Sequence, residues 1–383
     1  MIGGAAAALR EVCRSYVTAV PTGRPSLPDA WRVVALAQRH QLTPLVWAVL
    51  GQDVPPDEAL AVALKRDFYR SIVRRQQLLS MTGPLLKALA AQRVPVIALK
   101  GLALGSRYYA DPTHRPMTDV DLLVHREHVE PVLHAAADLG LRRYDDRHSL
   151  AFDLRFGSAV MLTRTPSDAS RPSIDLHWAL FDQGQFANAA AQSTDRFWER
   201  SEGVEVAGMR LLTLSREHTL VHLAAHLAVH HAFGGLLWYC DVGLLLRHSE
   251  TCLDWDEILA LTERLRLRGV LSLVLEAVGI LFDVHPPREV RRWLRPRSPR
   301  WRMARSFVLA RALRLEPMHR FEYLTPLLVM DRWRDCVSNL AGRIVPGREW
   351  VTLRYGSSWP VGYTRHAANV LAVLRRHVMR PIG

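Results

Sequence analysis

The chain has little of what marks a membrane-spanning, exported or disulfide-bonded protein. Across its 383 residues, no uninterrupted apolar run reaches the ~18 residues that a transmembrane helix needs. Its four cysteines show neither C-x-x-C spacing nor a disulfide framework, and its first residues lack the basic segment of a secretory signal peptide. These absences predict a cytoplasmic protein without a transmembrane segment.

Lysine is scarce as well. Of the 50 basic residues, only Lys65, Lys87 and Lys100 are lysines. Lys100 directly precedes Gly101 at the end of a short apolar run. Because an ammonium is a compact charge and a guanidinium a broad planar one, a lysine at this position in a lysine-poor chain indicates a need for a point charge there.

Hydrophobic periodicity and turn residues predict an α/β (α+β) protein in which a mixed-sheet core is flanked by helical regions. The expected domains are an N-terminal helical region at 1–92, the core at 93–213, a helical domain at 214–285 and an arginine-rich helical region at 286–383. Within the core, strands are predicted at 94–99, 119–124, 141–145, 150–155, 159–163 and 173–178, and helices at 102–109 and 127–139.

Two aspartates one residue apart, Asp119 and Asp121, lie inside an apolar stretch that ends at Val124. Side chains alternate along a strand, so both carboxylates project from one face while Val120 and Leu122 project from the other. Neighbouring carboxylates repel each other and resist desolvation unless a cation lies between them. The pair therefore predicts a divalent-metal site. The alternative is an exposed strand end with two solvated acids.

A third carboxylate is expected from a nearby strand. Asp175 and His177 share one face of the segment SIDLHW, and apolar residues share the other. Asp175 could instead pair with Arg155 or Arg171. Mg²⁺ prefers hard oxygen ligands, and two ions about 4 Å apart can hold the attacking and leaving oxygens of a displacement at phosphorus. The predicted metal ligands, which are also the predicted catalytic residues, are Asp119, Asp121 and Asp175.

Lys100 and Gly101 lie in a predicted strand–turn–helix that is suited to hold a phosphate. A glycine turns sharply and lets a phosphate approach the backbone, and the first N–H groups of a helix point towards an anion. Metal and phosphate on neighbouring elements predict nucleotide chemistry. Gly101 could serve only as the turn, and Lys100 could equally form a surface ion pair.

A set of motifs runs from LKG at 99–101 through YYADPTHRPMTDVDLLV at 108–124 to IDLHWAL at 174–180. The segments EHTLVHLAAHLAVH, WYCDVGLLL and LDWDEIL follow. In these motifs the chain resembles the uncharacterised nucleotidyltransferases of bacteria, a branch of the polymerase-beta-type nucleotidyltransferase superfamily. The resemblance extends from about residue 30 to the C-terminus and is most specific at 96–124.

This resemblance implies transfer of a nucleoside monophosphate from a nucleoside triphosphate such as ATP to a hydroxyl or phosphate of an unidentified acceptor. It implies a magnesium site at Asp119, Asp121 and Asp175, and a role in natural-product or polysaccharide tailoring. The Gly-Ser that usually follows the first strand in the superfamily is Lys100-Gly101 here. The alternative is a catalytically silent protein of this fold that recognises an acidic partner through its arginine-rich region.

Arg115 is a third predicted nucleotide-binding residue, beside Lys100 and Gly101. Four residues before the first aspartate of the pair, it could neutralise pyrophosphate as it leaves. Equally, it could tie its loop to Asp111 or to the metal carboxylates. Asp241 lies within an apolar segment and needs a partner, for which a histidine or arginine of a neighbouring helix is expected.

Histidines recur every four residues at His218, His222, His226 and His230. On a helix this stripe drifts by about 40° per step, so adjacent pairs could share a transition metal but all four cannot. Packing and hydrogen bonding are expected ahead of a zinc site. A third possibility is that one or two of these histidines line the active cleft.

The net charge of +13 belongs to one end of the chain. From Pro286 onward there are 20 arginines and 6 acidic residues, which gives +14, so the first 285 residues carry −1. The charges could solvate helix faces, form an anion-binding lobe, or contact nucleic acid or an anionic membrane. No nucleic-acid motif accompanies these arginines, so binding of nucleic acid or a membrane is ranked below the other two roles.

Overall fold

A computed structural model describes residues 4–20, 30–51, 59–145, 149–164, 172–181, 194–295, 299–315 and 329–378. These residues form seventeen α-helices and a seven-stranded mixed sheet, which confirms the predicted fold class. Four helices precede the sheet: α1 (Gly4–Thr18), α2 (Ala30–Arg39), α3 (Thr43–Leu50) and α4 (Ala59–Ala91).

Strands and short helices alternate through the middle of the chain. The strands are β1 (Ile97–Ala98), β2 (Asp119–Leu123), β3 (Arg142–Arg143), β4 (Ala159–Thr163), β5 (Ser173–His177), β6 (Glu202–Val206) and β7 (Met209–Thr213). The helices among them are α5 (Lys100–Tyr108), α6 (Val129–Asp138), α7 (Leu150–Phe156) and α8 (Asp195–Glu199).

The remaining described elements are helical, as the sequence predicts. They are α9 (Arg216–Val229), α10 (Leu236–His248), α11 (Trp255–Leu265), α12 (Arg268–Phe282), α13 (Arg288–Leu294), α14 (Pro299–Arg314), α15 (Trp333–Ile344), α16 (Arg348–Tyr355) and α17 (Trp359–Val378). No helix of these described segments is long and apolar enough to span a bilayer.

The sheet has the order β3-β4-β5-β2-β1-β7-β6, and its faces pack against two separate apolar cores. Strand β2 runs parallel to β5 and antiparallel to β1. Val120 and Leu122 belong to the core built on α4 and α6, whereas Leu123 belongs to the larger core that includes α9 and α10. Since side chains alternate, Asp119 and Asp121 project towards the side of α9.

Two parts of the sheet differ from the prediction. The segment 150–155, predicted as a strand, lies in helix α7. The Ser149 side chain caps this helix, because its hydroxyl oxygen accepts a hydrogen bond from the Phe152 backbone amide at 3.2 Å. The hairpin β6–β7 was not predicted. Its two-residue loop, Ala207 and Gly208, has φ values of +49° and +75°, as a type I′ turn requires.

Candidate functional site

Asp121 and Asp175 lie side by side because of the register of the sheet. In the parallel pair β2–β5 their Cα atoms are direct partners, so both carboxylates emerge from one face. His177, two residues further along β5, emerges from that same face. Ligand atoms of Asp121, Asp175 and His177 all lie within 4.8 Å of one another, the only such group of three or more found among the described residues.

Asp119 lies on β2 two residues before Asp121, and its partner on β5 is Ser173. Its carboxylate accepts a hydrogen bond from the Thr118 hydroxyl at 3.2 Å. Burial, followed by repulsion from Asp121, raises the pKa of Asp119. The three residues that the structure brings together are thus Asp121, Asp175 and His177, with His177 in place of the predicted Asp119. The role of Asp119 as a metal ligand stays a prediction.

Asp121 is almost fully buried and carries two contacts on one oxygen. The Lys100 ammonium lies 2.5 Å from its Oδ1, and His177 Nε2 lies 3.1 Å from the same atom. Burial opposes ionisation of this carboxyl, but the attraction of Lys100 and His177 outweighs burial and holds the pKa of Asp121 well below its usual range. Asp121 is therefore a carboxylate at any physiological pH.

Asp175 is in the opposite electrostatic situation. Its burial, with repulsion from Asp121 and Asp119, raises the pKa of Asp175 to about 6. Its Oδ1 is buried and has no hydrogen-bond partner within the described part of the chain. The alternative partner Arg155 binds Glu349 instead, at 3.0 Å, and Arg171 lies outside the described residues. A buried carboxylate oxygen without a partner is costly unless a cation or proton completes it.

Lys100 and Gly101 begin helix α5 directly beside Asp121. Lys100 has a φ of +42°, in the left-handed region that is unfavourable for a side chain, and such strain is common at functional sites. The Leu99 amide donates to the Asp121 carbonyl at 3.0 Å, which fixes this turn to β2. A Cβ on Gly101 would lie 3.0 Å from Met117 Cγ, a contact tighter than side chains usually make.

Arg115 forms a buried two-point ion pair with Asp241. Its Nε and Nη2 lie 3.1 and 2.8 Å from the two carboxylate oxygens, and the Tyr109 hydroxyl donates to Asp241 Oδ1 at 2.7 Å. Asp241 therefore has an arginine partner, but from the loop before β2 and not from a neighbouring helix. Asp111, the expected alternative partner of Arg115, accepts instead from Thr113. Nucleotide binding by Arg115 stays a prediction.

The histidine stripe lies on α9 and its members differ in environment. His218 binds Glu257, with Nε2 3.1 Å from Oε1, as expected for a packed core histidine. His222 is buried with both ring nitrogens unpartnered among the described residues, and burial, followed by the charge of Lys100, lowers its pKa to about 3. His226 Nε2 lies 3.1 Å from Nε2 of His231. The stripe does not assemble three metal ligands in the described structure.

His222 and Lys100 line one small cavity of about 10 Å³ at the side of the site. Tyr108 also lines it, and its hydroxyl is buried without a hydrogen-bond partner in the described residues. A space of this size is at the lower limit for one water molecule. That a histidine of the stripe lines the active cleft stays a prediction.

Sequence reasoning missed the part played by His177. The signal was present, because the residue alternates with Asp175 on the same strand face. What the sequence lacked was the pairing of β2 with β5, which brings that imidazole to Asp121.

Comparison with known proteins identifies a family. The family model described as "Uncharacterised nucleotidyltransferase" matches residues 27–283, which include the whole sheet and the site. The match ends before the arginine-rich region, short of the C-terminus to which the resemblance was expected to extend. No curated protein matches the chain. Because the matched span is well over half of the chain, the protein belongs to the uncharacterised nucleotidyltransferase family.

Proposed function

We propose that this protein is a magnesium-dependent nucleotidyltransferase that moves a nucleoside monophosphate from a nucleoside triphosphate to a hydroxyl or phosphate of its acceptor. The observation that carries the proposal is the pair of opposed carboxylates, Asp121 and Asp175, with a buried oxygen of Asp175 left unpartnered. Family membership supports nucleotidyl transfer as the reaction class.

The residues present fit a hard divalent cation. Asp121 and Asp175 supply carboxylate oxygens, which Mg²⁺ prefers, and among the described residues no hydrogen bond or ion pair reaches Asp121 Oδ2. Asp119 is the candidate further ligand for a second ion. When bound, the metal would stabilise negative charge on the attacking and leaving oxygens.

The protein's own residues would supply proton transfer and triphosphate binding. Asp175 is the carboxylate that would orient the acceptor hydroxyl or accept its proton. The amide groups at the start of α5, with Lys100 and Gly101, would hold the triphosphate. Arg115 and Asp241 fix the loop that leads into β2. The helical regions at 1–92, 214–285 and 286–383 would shape the acceptor site around the core at 93–213.

We place this activity in the cytoplasm, in the tailoring of a natural product or polysaccharide. The rival function is a catalytically silent binding protein. One observation favours it: the Lys100 ammonium already lies 2.5 Å from Asp121, where it neutralises a carboxylate that a metal would otherwise need.

The deciding experiment is calorimetric titration of ATP, GTP, CTP and UTP, each with Mg²⁺, into the native protein and into Asp121→Asn plus Asp175→Asn. The exposed Asp138→Asn is the matched control, since it removes a carboxylate away from the site. We expect binding of at least one nucleotide by the native protein and the control, with loss in the double variant. Equal heats from all three proteins would end the metal assignment. Binding without pyrophosphate release in the presence of candidate acceptors would favour the rival.

A further inference from the structure

Helix α15 presents its apolar face to solvent. Trp333, Val337, Leu340 and Ile344 recur at helical spacing and share one face. Their exposed fractions are 65, 55, 46 and 50%, and no residue of the helix is buried. A contiguous exposed apolar stripe of this kind marks an interaction surface more often than isolated surface residues do.

The less exposed flank of the helix attaches it to the protein. Asp335 accepts from Arg266 Nη1 at 3.0 Å, and Arg300 Nη1 contacts the Cys336 sulfur at 3.2 Å. Just before the helix, Asp331 accepts from the amides of Arg268 and Gly269 at 3.0 and 2.8 Å and so caps the start of α12. These contacts fix the orientation of α15, and the apolar stripe points outward because of them.

Positive charge surrounds the stripe. Arg332, Arg334 and Arg348 are exposed at its two ends, and the Arg334 guanidinium lies 5.9 Å from the Trp333 ring centroid. The acidic residues at the start of the helix, Asp331 and Asp335, are already bound to backbone amides or to arginine. The surface therefore combines an apolar stripe that includes a tryptophan with arginines that form no ion pair within the described part of the chain.

We propose that α15 docks this protein onto an anionic lipid surface, lying in the plane of the membrane with its apolar stripe inserted. Apolar side chains, a tryptophan at the boundary and arginines that reach anionic headgroups are the features by which amphipathic helices bind such surfaces. A second copy of the chain fits less well, because the exposed arginines at the ends of the stripe would face those of the other copy and repel them.

The experiment is flotation of the full chain with vesicles of phosphatidylcholine alone and with vesicles that contain phosphatidylglycerol. Val337→Glu plus Ile344→Glu removes two of the four stripe side chains with little risk to folding, since both positions are at least half exposed. The matched control is Val62→Glu plus Val73→Glu on α4, where both side chains are 56% exposed. Arg332→Gln plus Arg334→Gln tests the charge contribution.

We expect the native protein and the α4 control to float only with anionic vesicles. The α15 double glutamate should lose binding about tenfold or more, and the arginine variant should bind more weakly and lose its dependence on salt. Circular dichroism checks that every variant is folded. Failure of the native protein to bind anionic vesicles, or equal binding by the α15 glutamate variant, would overturn the proposal. A salt-insensitive dimer that only the α15 variant dissociates, without vesicle binding, would overturn it in favour of self-association.

Discussion

Asp121 and Asp175 are direct partners across the parallel strands β2 and β5, but their carboxyl groups have opposite electrostatic environments. Lys100 and His177 both contact Asp121, whereas Asp175 Oδ1 has no partner within the described residues. One member of the pair is held ionised and the other binds a proton more readily than usual. This asymmetry is the basis of the first two predictions.

Asp175→Asn should stabilise the metal-free protein above pH 6. The native-state pKa of Asp175 is raised to about 6, so the folded protein binds this proton more tightly than the unfolded chain does. Ionisation of Asp175 therefore costs stability at high pH, and this cost disappears as the pH falls through 6 towards the unfolded pKa. We expect a gain on the order of 1–2 kcal/mol at pH 8 that vanishes near pH 4. Urea unfolding across this range measures it; a gain that does not depend on pH contradicts the cause.

Magnesium affinity should fall with acidity, because a proton on Asp175 competes with the metal. Below pH 6 we expect the apparent association constant to drop about tenfold per pH unit, and binding at pH 6 to release protons. Calorimetry in two buffers of different ionisation enthalpy detects that release. Affinity that stays constant between pH 5 and 8 would show that Asp175 does not bind the ion.

Lys100→Met should separate metal binding from nucleotide binding. Without the ammonium, Asp121 loses its present counter-charge and becomes available to a cation, so Mg²⁺ alone should bind more tightly. The triphosphate loses a positive contact, so nucleotide affinity should fall about tenfold or more. Lys87→Met, at an exposed position on α4, is the control. Weaker binding of both ligands would instead mean that Lys100 mainly supports the fold of the turn.

Asp241→Asn should strongly destabilise the protein. The change leaves the buried Arg115 guanidinium without its counter-ion, which typically costs about 3–5 kcal/mol. Glu349→Gln breaks the exposed ion pair with Arg155 and should have little effect. Denaturant unfolding of both variants measures the two losses of stability. Equal unfolding midpoints would show that the buried pair contributes no more than the exposed one.

Gly101→Ala should be destabilising, although alanine is the better helix former. The added Cβ would lie 3.0 Å from Met117 Cγ and 3.2 Å from Arg115 Nη1, and such overpacking costs about 1–3 kcal/mol. At Gly83 in α4 a Cβ meets nothing within 4 Å, so Gly83→Ala should be neutral or stabilising by up to ~1 kcal/mol. Thermal unfolding and nucleotide titration of both variants test the difference.

Local patterns were sufficient for much of the fold. Alternation placed Asp119 and Asp121 on one strand face, and turn and capping residues located most helices. The same alternation misled at 150–155, where Leu150, Phe152 and Leu154 suggest a strand but the cap from Ser149 starts a helix. The hairpin at 202–213 was missed because its Ala207-Gly208 loop is a weak turn signal.

What the sequence determined by itself is which chemistry the chain carries: paired acids in an apolar strand, a lone lysine beside a glycine and a strongly basic C-terminal region. These follow from the short-range spacing of residue types. Only the tertiary structure decided which groups meet. The β2–β5 register brings His177 and Asp175 to Asp121. The turn at Lys100 places its ammonium against Asp121, and Arg115 forms an ion pair with Asp241. Such partners are separated by tens of residues or more, so their meeting depends on strand pairing and packing that no local pattern encodes.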